Sequence, residues 1–268
     1  RLVVDKPLAH AALEGLASLS SSPHAAPQLK VDLVRFFRLG WERDLPEIEA
    51  ASIEGGDETV YAMGGEVTAY TELVPSVIRG LRNIAVSATG PLRQQALDAL
   101  LATWDQIAEG ELQLGPGNTE RLLEALRDLG TQADVAPEQR DAIAEAVGRR
   151  RDFLPSYGVL ARLCVAAGPA MRDRAVALAS ELLDRDATDP ALTEQERATL
   201  LEHLATVVTE ADLGDQARTL RERAVGALLD ADKRDNEHVA DTLARLHDAA
   251  VIPAPLRKRL AARLTDRR

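Results

Sequence analysis

Three kinds of residue are scarce in this chain of 268 residues: aromatic residues, cysteine and lysine. Aromatic side chains make up 3% of the sequence, and strand-rich folds usually contain more of them together with β-branched residues. The single cysteine, Cys164, excludes an intramolecular disulfide and a metal cage of cysteines. Its apolar helical surroundings predict a buried core residue. Four lysines stand against 28 arginines, which we interpret as the mark of a GC-rich bacterial genome.

The chain also lacks excess positive charge and long apolar runs. Its formal net charge is −11, with a pI near 5.0, so we expect no binding to nucleic acid and no direct contact with a membrane. No stretch approaches the roughly 20 apolar residues that cross a bilayer, and no signal peptide is recognisable. We therefore expect a cytoplasmic protein. Because the sequence starts at Arg1 rather than Met, we also expect a fragment, and the earlier removal of a leader, an anchor or a further domain stays open as an alternative.

Apolar residues, mainly Ala and Leu, make up 46% of the chain and recur with helical spacing along most of it. One such stripe includes Ala96, Leu97, Leu100, Trp104 and Ile107. Further stripes lie within residues 122–129, 142–147, 159–167, 175–183, 200–208, 220–229, 239–246 and 256–264. The pattern predicts an all-α fold.

Residues typical of helix ends frame these stripes. Thr193 and Glu196 have the spacing of a capping box, and Asn118 suits an N-cap. First-turn prolines are predicted at Pro91, Pro137, Pro169 and Pro255. Left-handed residues just after a helix are predicted at Gly110, Gly130 and Gly168.

Several predicted helix starts are alike. Residues 90–96 (Gly-Pro-Leu-Arg-Gln-Gln-Ala) read like residues 136–142 and 168–175, with looser copies at 214–218 and 254–257. Each opens with a small residue, usually followed by proline and then by arginine one turn later. The spacing averages about 40 residues, which suits one helical hairpin per repeat. On these starts, residues 90–266 resemble HEAT-like repeat proteins, although Asp215 stands where the pattern has proline.

The resemblance implies antiparallel helical hairpins stacked into a HEAT-like α-solenoid; a non-repetitive helical bundle is the alternative. We expect one continuous domain, with an irregular N-terminal helical region at 1–89 and a helical-repeat region at 90–268. Within the first region, helices are predicted at Leu8–Leu19, Val31–Leu39, Pro46–Ser52 and Pro75–Ala88. Residues 54–70 are predicted as an acidic loop or a small β-hairpin around Gly64-Gly65.

Charge is segregated along the chain. Between Trp41 and Glu72 there are nine acidic residues and one base, Arg43. We interpret this segment as a surface that binds a basic partner, because complementary charge gives specificity and a fast on-rate. Its candidate partner-binding residues are Glu42, Asp44, Glu47, Glu49, Glu54, Asp57 and Glu58.

Two other interpretations of this segregation stay open. The last twelve residues are basic, with Arg257, Lys258, Arg259, Arg263, Arg267 and Arg268 against Asp266. Head-to-tail self-association of the acidic and basic ends is therefore possible. Alternatively, the acidic segment is a solvated surface that keeps an Ala- and Leu-rich protein in solution.

Motifs that carry chemistry are missing. The sequence holds no nucleophile elbow, phosphate-binding loop, dinucleotide fingerprint, His-Glu-x-x-His or calcium-loop motif, so we expect no cofactor and no metal. The basic run Arg149–Arg151 follows a predicted helix, whose dipole favours cations there. We predict a non-enzymatic protein–protein interaction or scaffold module that binds a basic or amphipathic segment. The alternatives are a helical accessory domain of an enzyme and the soluble domain of a membrane-anchored protein.

Overall fold

The computed structural model describes residues 6–39, 74–110, 114, 116–233 and 239–266. Throughout these residues the regular secondary structure is helical and no strand occurs, so the all-α prediction is confirmed. The predicted helix at Pro46–Ser52 and the acidic loop or hairpin at 54–70 lie outside the described residues. The chain divides into two compact units, Arg1–Gln132 and Ala133–Arg268.

The first unit contains helices whose starts and ends follow the sequence signals closely. They are α1 (Lys6–Ser20), α2 (Pro27–Leu39), α3 (described at 74–87), α4 (Gly90–Ala108) and α5 (Pro116–Gly130). Pro91 lies in the first turn of α4, where its missing N–H costs no hydrogen bond. Gly110 has a φ of 78° just after α4, which glycine adopts without strain.

The core of the first unit lies between α2, α3, α4 and α5. Trp104 is fully buried, as its apolar stripe predicts, and so is Phe37 on α2. Gly80 on α3 lets the Phe37 ring approach closely, because a Cβ at position 80 would overlap that ring. Polar contacts tie α3 to its neighbours: Asn83 donates to the Ala17 carbonyl of α1 at 2.9 Å, and Arg82 donates to Asp128 of α5 at 2.8 Å.

The second unit continues the helical series from residue 137. Its helices are α6 (Pro137–Gly148), α7 (Pro155–Ala167), α8 (Arg172–Thr188), α9 (Glu194–Glu210), α10 (Ala217–Lys233), α11 (Ala240–Asp248) and α12 (Ala254–Asp266). Short 3₁₀ turns, Gly168–Met171 and Gly214–Gln216, lead into α8 and α10. The capping box is confirmed: the Thr193 hydroxyl accepts from the Glu196 backbone N–H while the Glu196 carboxylate accepts from the Thr193 N–H.

Helix packing in the second unit follows the order of the chain. Each helix from α6 to α11 packs against the next one, and from α7 onwards each also packs against the next but one. In the part of this unit that the structure describes, no extensive contact joins helices further apart than that. The buried Leu, Ala and Val residues of each helix therefore face near neighbours in sequence.

Arginine side chains close several helix ends in both units. Arg93 donates to the Ala85 carbonyl at 3.1 Å and Arg221 to the Val208 carbonyl at 2.9 Å. Arg197 reaches two carbonyls near the end of α8, those of Asp186 and Asp189. The last carbonyls of a helix lack partners within it, and the guanidinium fork can serve two at once. Arginine is therefore better suited than lysine to donate to the carbonyls at these helix ends.

Two predicted helix ends are wrong, and a third lies in a different element. Asn118 is not an N-cap, because α5 already begins at Pro116; its amide oxygen instead accepts from Arg121 at 3.1 Å. Gly130 is the last residue of α5 and does not adopt a positive φ, since the helix continues through it. Pro169 opens a 3₁₀ turn rather than α8 itself, whereas Gly168 has the predicted positive φ of 54°.

Candidate functional site

The candidate functional site is a groove on the second unit, formed by α6, α7 and α8. Three open cavities adjoin one another along it, of about 800, 380 and 340 Å³. The middle cavity shares Arg151 and Ala177 with the largest and Arg174 with the smallest. Along α8 the groove runs from Arg174 to Arg185, which is about 16 Å at 1.5 Å per helical residue.

The middle cavity has an apolar floor and small side chains at its walls. Leu160 and Cys164 of α7 lie at its base and are buried. Ala144 and Gly148 of α6 and Ala177 of α8 line it without filling it. Burial raises the pKa of the Cys164 thiol to about 11, so the thiol stays protonated near neutral pH and is a core residue rather than a nucleophile.

At one end of the groove, polar side chains form hydrogen bonds with one another. The Tyr157 hydroxyl donates to Glu181 at 2.8 Å and accepts from Arg185 at 3.1 Å. The Arg185 guanidinium also lies over the Tyr157 ring, 5.4 Å from its centroid, and donates to the Arg151 carbonyl. Burial raises the pKa of Tyr157; the hydrogen bond from Arg185 opposes this, and Glu181 adds to it. These contacts join α8 to α7 and to the end of α6, and they hold the side chains at this end of the groove in place.

Arginines and acids stand together around the middle cavity. Three arginines, Arg149, Arg151 and Arg174, stand around it with one acid, Glu145. Arg151 is held in place: it pairs with Glu181 and donates to the Gly148 carbonyl at 3.1 Å. Arg174 lies 3.8 Å from Asp141, at the margin of an ion pair. Over the three cavities together, five arginines stand among six acids, so the groove carries no excess of positive charge.

The His203 side chain makes a close contact between two helices of this unit, away from the groove. Its ring packs on Gly158 of α7, where a Cβ would lie 3.0 Å from His203 Cε1. Burial lowers the pKa of His203 below its usual 6.5; Glu202 on the same helix opposes this, and Arg245 of α11 and Arg162 of α7 add to it. The α7–α9 contact is therefore built around a neutral imidazole.

Acidification is expected to weaken this contact. The unfolded chain binds a proton at His203 as the pH falls through 6.5, whereas the folded chain resists it, so stability drops below that pH. The melting temperature of a His203→Gln variant should fall less between pH 7.5 and 5.5 than that of the parent. His24→Gln, at an exposed position, is the control. An equal fall in parent and His203→Gln protein would contradict the assignment.

The candidate residues predicted from the sequence lie outside the described residues. These are Glu42, Asp44, Glu47, Glu49, Glu54, Asp57 and Glu58. Of the basic C-terminal residues, Arg257, Lys258 and Arg259 are exposed on α12, whereas Arg263 turns inward to the buried carboxylate of Asp232. Arg263 is therefore committed within its own chain.

The groove itself was not predicted from the sequence. Its members Tyr157, Glu181 and Arg185 are up to 28 residues apart, and no short motif joins them. The one local signal is the i, i+4 spacing of Glu181 and Arg185, which places both on one face of α8. The basic run Arg149–Arg151 follows α6, and the bond that Arg151 donates to the Gly148 carbonyl agrees with a role at the helix end.

Comparisons with known proteins find no matching family model, no similar curated protein and no similar solved structure. Within the described ranges, no helix has both the length and the apolar character to cross a membrane. Those same ranges hold no group of three or more His, Cys, Asp or Glu side chains placed to bind a metal ion.

Proposed function

We propose that this chain is a non-enzymatic interaction module whose helical hairpins stack into a HEAT-like α-solenoid. The observation that carries the proposal is the packing order of the second unit. Among the described residues, its helices pack extensively only against their next and next-but-one neighbours. Stacked hairpins bury their apolar faces against adjacent hairpins in this way, whereas a compact bundle brings distant helices together around one centre.

Such a module presents ridges and shallow grooves that suit a partner helix or an extended segment. The groove along α6, α7 and α8 supports this, because it is long and open. The step from solenoid to scaffold is an analogy at the level of the fold. The partner that the charge distribution favours is a basic or amphipathic segment, bound by the acidic residues between Glu42 and Glu58.

The test is binding of a synthetic helical peptide of leucine and lysine, followed by fluorescence anisotropy at 50 and 300 mM salt. Neutralising the acidic segment is expected to weaken binding at least about tenfold, since several close charge pairs are lost. The variant carries Gln for Glu and Asn for Asp at Glu42, Asp44, Glu47, Glu49, Glu54, Asp57 and Glu58.

A matched control separates this from a general effect of charge. It neutralises seven exposed acids elsewhere: Glu109, Glu120, Glu124, Glu138, Asp173, Asp215 and Asp241. Both variants change the net charge from −11 to −4, since each removes seven negative charges. Equal weakening in both would show that the peptide senses only net charge, and would remove the acidic segment from the proposal.

A further inference from the structure

We propose that the exposed basic face of α12 binds the acidic segment, residues 42–58, of a second copy of this chain. The face consists of Arg257, Lys258 and Arg259, and all three are exposed. None of their side chains has a hydrogen bond or an ion pair with a described residue. Every other arginine side chain that the structure describes in the second unit has a partner within the chain. The α12 face is therefore positive charge that the fold leaves uncompensated.

The sequence around the face explains why these cations lack partners. Helical residues pair with side chains three or four positions away, and those positions hold only proline, alanine, leucine and Arg263. The first turn of α12 has no acidic residue, although a helix N-terminus favours negative charge. Asp248, the nearest acid before α12 in sequence, lies 2.8 Å from His247. An anionic partner would therefore supply the counter-charge that α12 lacks.

The shape of the face suits an extended segment rather than a small ligand. Leu256 and Leu260 are buried on the inner side of α12. At 3.6 residues per turn, Lys258 lies near the middle of the opposite side, with Arg257 and Arg259 on its two flanks. The residues nearest to Lys258 on that side include two exposed alanines, Ala254 and Ala262. Their short side chains let a bound segment lie close to the helix.

The chain contains a segment of matching charge. Residues 42–58 include seven acids and one base, Arg43. The second copy is the source, because the α12 cations have no partner among the described residues of their own chain. This inference rests on the proposed function, in which the acidic segment is a binding surface, and it names α12 of another copy as a partner of that surface.

The net charge of −11 on each copy opposes association. At physiological salt, charges in solvent are screened beyond about 8 Å, so repulsion between whole molecules is damped more than contacts between neighbouring side chains. The pairs themselves are exposed, and exposed ion pairs contribute little each. The expected result is a weak, salt-sensitive dimer or chain of copies rather than a permanent assembly.

Sedimentation velocity of the intact protein from 5 to 200 µM, in 150 and 500 mM NaCl, tests the association. Concentration-dependent association is expected at 150 mM and should weaken at 500 mM. An Arg257→Glu/Arg259→Glu variant should associate at least about tenfold more weakly, because it reverses two of the three charges of the face. Position 257 lies in the first turn of α12, where the helix dipole favours glutamate, so α12 should remain folded. Circular dichroism verifies this.

The matched control is Arg121→Glu/Arg218→Glu, which reverses two exposed charges on α5 and α10. Both double variants have a net charge of −15, since each substitution subtracts two from −11. The control should associate within about twofold of the parent, because its two sites lie outside the α12 face. Equal weakening of the two variants would show that only net charge matters, and would overturn the proposal.

Charge exchange tests the pairing directly. A Glu47→Arg/Glu49→Arg variant should associate at least about tenfold more weakly than the parent, although its smaller net negative charge reduces general repulsion. It should regain association when mixed with the Arg257→Glu/Arg259→Glu variant, because opposite charges then meet again. A mixture that fails to associate overturns the proposal, as does a parent protein that stays monomeric at 200 µM.

The failure of this inference can be told apart from the failure of the proposed function. A parent protein that binds the leucine and lysine peptide through its acidic segment but does not self-associate overturns only the α12 pairing. A parent protein that does not bind the peptide overturns the proposed function itself.

Discussion

Replacing Arg263 with methionine is expected to lower the free energy of unfolding by about 3 kcal/mol, at the lower end of the range for a broken buried ion pair. Arg263 on α12 donates from Nε to the carboxylate of Asp232 near the end of α10, and Asp232 is completely buried. Methionine keeps most of the apolar stem but leaves the carboxylate without its guanidinium partner. Arg263 is itself one-third exposed, which is why the lower end applies.

Urea unfolding of the intact protein measures the loss, and amide hydrogen exchange at α10 and α12 locates it. The matched control is Arg218→Met, which breaks the exposed i, i+4 pair with Glu222 and should cost no more than about 0.5 kcal/mol. Adding Asp232→Asn to Arg263→Met should recover part of the loss, because a neutral amide needs no counter-charge. If Arg263→Met and Arg218→Met cost the same, the pair does not stabilise the α10–α12 contact.

Phe37→Ala is expected to cost about 3–5 kcal/mol, the usual range for removing a fully buried phenylalanine. The Phe37 ring has no exposed surface and packs against Gly80 of α3. On the α3 side the ring faces Gly80, which has no side chain that could move into the space left behind. The loss includes both the transfer of the ring to water and the cavity that remains.

The neighbouring residue provides the control for this substitution. Phe36 is half exposed and touches Phe37 edge-on, with ring centroids 5.7 Å apart. Phe36→Ala should therefore cost about 1 kcal/mol, the usual worth of an aromatic pair. Thermal and urea unfolding measure both variants. Equal costs at the two positions would mean that α2 does not bury Phe37 against α3.

Much of the helix arrangement could be predicted because the signals are local. The capping box at Thr193 and Glu196 depends on two residues three positions apart, and the burial of Trp104 follows from a stripe on one helix. Helix ends were less predictable where two signals compete. Asn118 is a good N-cap residue, but Pro116 is favoured in the first helical turn and begins α5 two residues earlier.

The partners of charged residues were not predictable in the same way. Arg185 donates a hydrogen bond to Tyr157, which lies 28 positions earlier in the chain. Arg263 donates one to Asp232, which lies 31 positions earlier. A run such as Arg149–Arg151 shows in the sequence only as positive charge; which of its members lines a cavity depends on the helices that pack beside it. The predicted partner-binding acids remain a prediction, since they lie outside the described residues.

By itself, the sequence determined the helical nature of the chain, the main apolar stripes and several helix ends, because each depends on backbone geometry over a few residues. Only the tertiary structure decided which helices are neighbours, where the groove lies and which arginines surround it. Those features depend on how apolar faces from separate helices fit together, and side-chain shape at each contact selects the pairing. That information is spread over residues far apart in the chain.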